Sequence, residues 1–157
     1  AIMVQMTWPG APTLYYGDEA GVCGWTDPDN RRTYPWGFED FELIEYHRYL
    51  IDLHKKLPAL RRGSLKQLLA DRQLIVYGRM SGENKCAVII NNRGEGRSVR
   101  VPVWELGITD EDAITRMMLS DEKGYNAGRI DYRADHGWLT LNVPAHSGVL
   151  LSSGALV

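Results

Sequence analysis

Long apolar runs are missing from this sequence. No stretch approaches the roughly 18 residues that a membrane-spanning helix requires, so no membrane partner is expected. A basic stripe is missing too. Lys and Arg number 18 against 20 Asp and Glu, a formal net charge of −2, and the paired arginines Arg31–Arg32 and Arg61–Arg62 stand far apart. No nucleic-acid partner is expected from such a balance. Cysteine is scarce: Cys23 and Cys86 lie far apart and outside any metal-ligand spacing, which reads as two free thiols. No cofactor and no metal site are expected. The opening Ala1–Met6 has neither a basic leader nor a small-residue cleavage site. As an apolar, helix-like start it is expected to be an internal segment of a larger fold.

What is present is an ordinary globular composition, 44% apolar and 24% charged over 157 residues. That allows one domain or two small units. The composition changes near Pro58. Before it, Ala1–Trp8 reads as a helix end stopped by Pro9–Gly10. The run Thr13–Tyr16, bounded by Pro12 and Gly17, reads as a short buried strand of parallel type. Residues Gly17–Gly37 form a loop with repeated Gly and Pro, and a loop that long inside a compact domain is usually functional. From Glu42 to Leu57 a helix is predicted. Leu43, Tyr46, Leu50, Leu53 and Leu57 recur at steps of three and four, with Glu45, Arg48, Asp52 and Lys56 opposite. Acids gather at its start and lysines at its end, as the helix dipole favours. Its wide apolar stripe is expected to find most of its partner surface outside this chain.

Beyond Leu65 the period changes from 3.6 to 2. Val99, Val101 and Val103 alternate with polar positions, as do Leu139, Leu141 and Val143. Further strands are predicted at Leu65–Leu69, Leu74–Met80, Lys85–Asn91, Ile114–Leu119, Arg129–Tyr132 and Val149–Ser152. Turns fall at Ser81–Asn84, Arg93–Gly96 and His136–Gly137. About eight short strands with such turns read as an antiparallel sandwich.

The long loop holds the side chains best suited to chemistry. Asp27, Asp29, Arg31 and Arg32 offer charged hydrogen-bonding groups, and Trp25, Tyr34 and Trp36 offer flat apolar faces. Together these suit a sugar, with hydroxyls to bond and a ring face to cover. Asp18 and Glu19 are adjacent; on an extended segment they point apart and cannot act on one bond together. His47 and His54 lie seven apart on the helix, against the three or four of a metal pair, and read as core-edge residues. Asp110–Asp112 reads as a solvated acidic loop.

The segment Pro9-Gly10-Ala11-Pro12-Thr13-Leu14-Tyr15-Tyr16-Gly17-Asp18-Glu19 resembles the eighth barrel strand of the α-amylase superfamily. Asp27-Pro28-Asp29-Asn30-Arg31-Arg32, then Pro35-Trp36, resembles the loop that follows it, in the form of the neopullulanase, cyclomaltodextrinase and maltogenic amylase group. Leu53-His54-Lys55-Lys56-Leu57-Pro58-Ala59-Leu60-Arg61-Arg62-Gly63 is similar to the eighth helix and its exit. Val143-Pro144-Ala145-His146-Ser147-Gly148-Val149 is similar to the closing strand of the C-terminal β-domain.

The resemblance implies an α+β chain: residues 1–60 as the last βα unit of a (β/α)₈ barrel, and residues 61–157 as the all-β antiparallel sandwich of an amylase C-terminal domain. It implies a retaining glycoside hydrolase that cleaves α-1,4 and, in some members, α-1,6 glucosidic bonds in α-glucan or maltooligosaccharide substrates. The family's catalytic Asp, Glu and second Asp lie on earlier strands, so none is carried over and this chain by itself is expected to be inactive. Asp27 and Arg31 match sugar-contacting positions of related enzymes; the alternative is that Asp27 opens a turn and Arg31 pairs with a nearby acid. Two other functions stand beside the enzyme reading, a stand-alone carbohydrate-binding module and a structural β-sandwich that self-associates through exposed apolar surface.

Overall fold

A computed structural model of the chain describes residues 1–82 and 84–154; Glu83, within the predicted Ser81–Asn84 turn, lies outside the described residues. Three helices precede the first strand: α1 (Ile2–Thr7), α2 (Phe41–Lys56) and α3 (Pro58–Arg62). The Asp40 carboxylate accepts a hydrogen bond from Leu43 N at 3.0 Å, which caps α2 by taking up one of its free N–H groups. His54, Lys55 and Lys56 fill the last turn, and Leu57 leaves the helix in an extended conformation. Pro58 then opens α3, at a position where its missing N–H costs nothing.

Among the described residues nine strands follow, β1 (Ser64–Ala70), β2 (Leu74–Ser81), β3 (Asn84–Asn91), β4 (Arg97–Val101), β5 (Ile114–Asp121), β6 (Gly124–Asn126), β7 (Ile130–Tyr132), β8 (Leu139–Val143) and β9 (Ser147–Ser153). Seven form one sheet in the order β1-β2-β3-β9-β5-β6, with β7 also pairing β5, while β4 and β8 form a second sheet of two. Every pairing is antiparallel.

The large sheet has apolar layers on both faces. Along β3, Ala87 and Ile89 face the two-stranded sheet and meet Val99, Val101, Leu139 and Leu141. The alternate residues Cys86 and Val88 face the helices and meet Met3, Met6, Leu50, Leu53 and Leu57. Period-two alternation thus sends successive apolar side chains into two separate cores. In β5 a register shift between Arg116 and Met118 lets the neighbours Met117 and Met118 both join the helix-side core, as a bulge does. Gly78 leaves room for Leu106 of the 3₁₀ turn Val103–Leu106: a Cβ there would lie 2.1 Å from a Leu106 methyl. Cys23 is exposed and Cys86 buried, both free, and burial pushes the Cys86 thiol up to about 12.

Arg79 is buried to 1% exposure. Its Nη1 donates to Thr7 O at 2.6 Å and its Nη2 to Gly63 O at 2.9 Å. These carbonyls close α1 and follow α3, where helices leave C=O groups unpaired and carry partial negative charge. One guanidinium on β2 therefore ties both helix ends to the sheet. Beside it the Thr7 and Tyr77 hydroxyls share a 2.6 Å hydrogen bond.

Three expectations are corrected. Thr13–Tyr16 forms no strand: it lies in irregular backbone with Tyr15 and Tyr16 exposed. A strand is held by ladder bonds to neighbours, and among the described residues no strand lies beside this run. The stripe of α2 finds much of its partner surface within the chain, on α1 and the large sheet. The strand predicted to reach Val103 stops at Val101, after which Pro102, with no N–H to donate, leads into the 3₁₀ turn.

Candidate functional site

The loop between α1 and α2 is built by its own hydrogen bonds. Gly17 and Gly21 take left-handed conformations on either side of the 3₁₀ turn Asp18–Ala20, and Val22 N closes it by donating to Gly17 O at 2.9 Å. Glu19 accepts from Gly17 N at 3.0 Å, so this carboxylate secures backbone. Asp18 and Glu19 thus sit on a tight turn and not on the extended segment expected for them. Gly24 passes against the Asp29–Asn30 backbone, where a Cβ would come within 2.7 Å of Asn30 Cα.

A second 3₁₀ turn, Asp29–Arg31, sets the charged groups. Asp29 accepts from Trp25 N at 3.1 Å and from Arg32 Nε at 2.8 Å. The hydrogen bond from Arg32 is the main reason the Asp29 carboxyl lies below its ordinary value. Tyr16 donates through its hydroxyl to Arg32 O at 2.8 Å, linking the start of the loop to its middle. Tyr15, Tyr16, Asp18, Val22, Asn30 and Arg32 line a cavity of about 510 Å³.

The two residues singled out from the sequence meet. Arg31 Nε lies 2.8 Å from Asp27 Oδ1, with the side chains 69% and 61% exposed. The pairing with a nearby acid, the plainer alternative, is therefore real. It also holds a donor fork and a carboxylate together at the surface, a mixed set suited to neighbouring hydroxyls. On the same loop Trp25 is 87%, Trp36 78% and Phe38 89% exposed. Tyr34 and Trp36 sit against each other with ring centroids 4.5 Å apart. Large aromatics left in water are candidates for a binding or contact surface where they form a patch.

His47 is buried with Nδ1 2.8 Å from Leu43 O, and His54 places Nδ1 2.8 Å from Met6 O. Both bond to helix carbonyls, as core-edge residues do. No group of three or more His, Cys, Asp or Glu side chains among the described residues is arranged to hold a metal ion.

No family model matches the chain. Curated relatives do. It is 32% identical to an amylopullulanase of Thermoanaerobacterium saccharolyticum across 98% of this chain, and 40% identical to neopullulanase 2 of Thermoactinomyces vulgaris across 68% of it. Its fold matches an acarbose-soaked debranching enzyme of Nostoc punctiforme, 29% identical with a TM-score of 0.72 over 98% of this chain. This chain belongs to the α-amylase family. It spans 12% and 19% of the length of the two curated relatives and 28% of the debranching enzyme chain. In this α-amylase-family chain the antiparallel sheets correspond to the amylase C-terminal β-domain.

Proposed function

We propose that the chain works as the C-terminal part of an α-glucan hydrolase that cleaves α-1,4, and in some substrates α-1,6, glucosidic bonds with retention of configuration. Residues 1–60 supply the last βα unit of its barrel and one wall of the substrate cleft. Residues 61–157 supply the β-domain that packs against it. The observation that carries this reading is the exposed Asp27–Arg31 pair, on a loop that also carries water-facing aromatics and whose sequence resembles the family's substrate wall. In the longer enzyme Thr13–Tyr16 becomes a strand once neighbours supply ladders on both edges, and the exposed aromatics near it gain cover. Asp27 accepts from sugar hydroxyls and Arg31 donates to them. A retaining reaction needs two carboxyl groups about 5–5.5 Å apart across the scissile bond. The paired loop acids here are instead bound to Arg31, Arg32 and backbone.

Incubation of the 157-residue chain with starch, pullulan and cyclodextrin tests the assignment. No reducing sugar is expected; turnover would place a nucleophile inside this segment. In the longer enzyme, Arg31→Ala is expected to raise KM for maltooligosaccharide by about tenfold, the loss of one charge-assisted bonding group. An unchanged KM removes the binding role.

A further inference from the structure

Asp27, Asp29, Arg31 and Arg32 crowd one short stretch of the loop between α1 and α2. The structure sorts these charges into two pairs. Arg32 sets both Nε and Nη2 on Asp29 Oδ1, at 2.8 and 2.7 Å. Arg31 meets Asp27, and that pair is the more exposed: 69% and 61%, against 56% and 46% for Arg32 and Asp29. The other Asp29 oxygen, Oδ2, accepts from Trp25 N at 3.1 Å. One carboxylate therefore joins the backbone before Asp27 to the guanidinium after Arg31. Two backbone bonds set the span between them: Asp29 N donates to Thr26 O at 2.8 Å, and Arg31 N to Pro28 O at 3.0 Å. Gly24 leaves room for this closure, since a Cβ there would meet Asp29 O at 2.7 Å. Tyr16 anchors the far end through its hydroxyl on Arg32 O. Exposed ion pairs contribute only about 0–1 kcal/mol to stability, so what this arrangement supplies is orientation.

We propose that Asp29 is a positioning residue for the sugar-contacting pair. By holding Trp25 N and the Arg32 guanidinium it fixes the turn that sets Arg31 beside Asp27, and it keeps Arg32 from competing for the Asp27 carboxylate. This deepens the α-glucan reading of the same loop and rests on it. Asp29 touches no sugar itself, because both its oxygens are engaged within the loop. Its effect reaches the substrate through Arg31. A donor fork set in place before the sugar arrives spends no binding energy on being ordered. The expected signature is a loss of affinity with little loss of turnover.

The test is steady-state hydrolysis of maltooligosaccharide by the longer enzyme. Wild type is compared with Asp29→Ala, Asp29→Asn, Arg31→Ala and the double variant Asp29→Ala/Arg31→Ala, with far-UV circular dichroism to confirm that each is folded. Asp29→Ala is expected to raise KM about fivefold and to change kcat by less than about twofold. Asp29→Asn keeps a side-chain oxygen for Trp25 N and is expected to raise KM less. In the Arg31→Ala background, Asp29→Ala is expected to add less than about twofold, because the group it positions is already gone. Three results overturn the positioning role and leave the sugar contact of the loop standing: an unchanged KM in Asp29→Ala beside a raised KM in Arg31→Ala, effects of the two that multiply in the double variant, or an Asp29→Asn no better than Asp29→Ala. If Arg31→Ala itself leaves KM unchanged, the sugar contact falls and the positioning role with it.

Discussion

The loop between α1 and α2 and the strands treat aromatic and apolar side chains in opposite ways. In the strands, alternate residues enter one core or the other, and Val76, Val88, Ile89, Leu150 and Leu151 are essentially without solvent contact. In the loop between α1 and α2, Trp25, Trp36 and Phe38 stand in water. The loop turns are instead held by carboxylates on backbone N–H groups and by the Asp27–Arg31 and Asp29–Arg32 pairs. The sheet region is stabilised by burial and the loop by local hydrogen bonds, so substitutions in the two should have different consequences.

The sharpest contrast comes from truncating one large side chain on each side. Leu150→Ala in β9 empties a fully buried site between sheet and helices and is expected to cost about 3 kcal/mol. Trp36→Ala, although it removes a larger side chain, is expected to stay within about 0.5 kcal/mol of wild type. Urea denaturation followed by circular dichroism measures both. A large cost at Trp36 would break the comparison by showing that the loop aromatics carry folding energy. Arg79→Met tests the junction. It leaves Thr7 O and Gly63 O without their buried donors, and a loss of roughly 2 kcal/mol is expected in the same assay. No loss would mean that apolar packing alone joins helices and sheet. Asp40→Ala removes the cap of α2, with an expected cost of about 1 kcal/mol, read from the thermal midpoint.

The smallest effect is pH-dependent. Asp71 accepts from Gln73 N, Arg97 Nη1 and Leu74 N. These bonds, that from Gln73 N first, lower its carboxyl from 3.8 to about 2. A depressed folded-state value stabilises the fold fully above the ordinary carboxylate range, and the contribution fades as pH falls from about 3.8 towards 2. Asp71→Asn should flatten that part of the stability curve and leave the curve's shape near neutrality unchanged. An unaltered acid limb would show that the bonds at the β1–β2 turn do not persist in solution.

Much of this architecture is legible in the residues. The α2 helix is written in its leucine spacing, its acid-rich start and Pro58, and β4 and β8 in strict alternation. The pairing of Arg31 with a nearby acid is legible in the close spacing of charged residues in the loop. Other features carried weak signals. β6 is only Gly124–Asn126, a turn-like triplet with no pattern long enough to have a period. Its Tyr125 is placed by Tyr46 and Tyr49, at ring-centroid distances of 5.4 and 5.9 Å. Thr13–Tyr16 has strand composition but no ladder beside it. Arg79 reads as a polar position within a strand, with nothing to say that it meets two helix ends.

The sequence by itself determined where the helix and most strands run and which family the chain resembles. Helical and strand periods are properties of adjacent backbone, and family motifs are contiguous. Only the tertiary structure decided that Arg79 reaches Thr7 and Gly63, that Met117 and Met118 share a core, and that Trp104 rests on Gly137. Such contacts join residues distant along the chain or depend on strand register, and local residue pattern does not specify either.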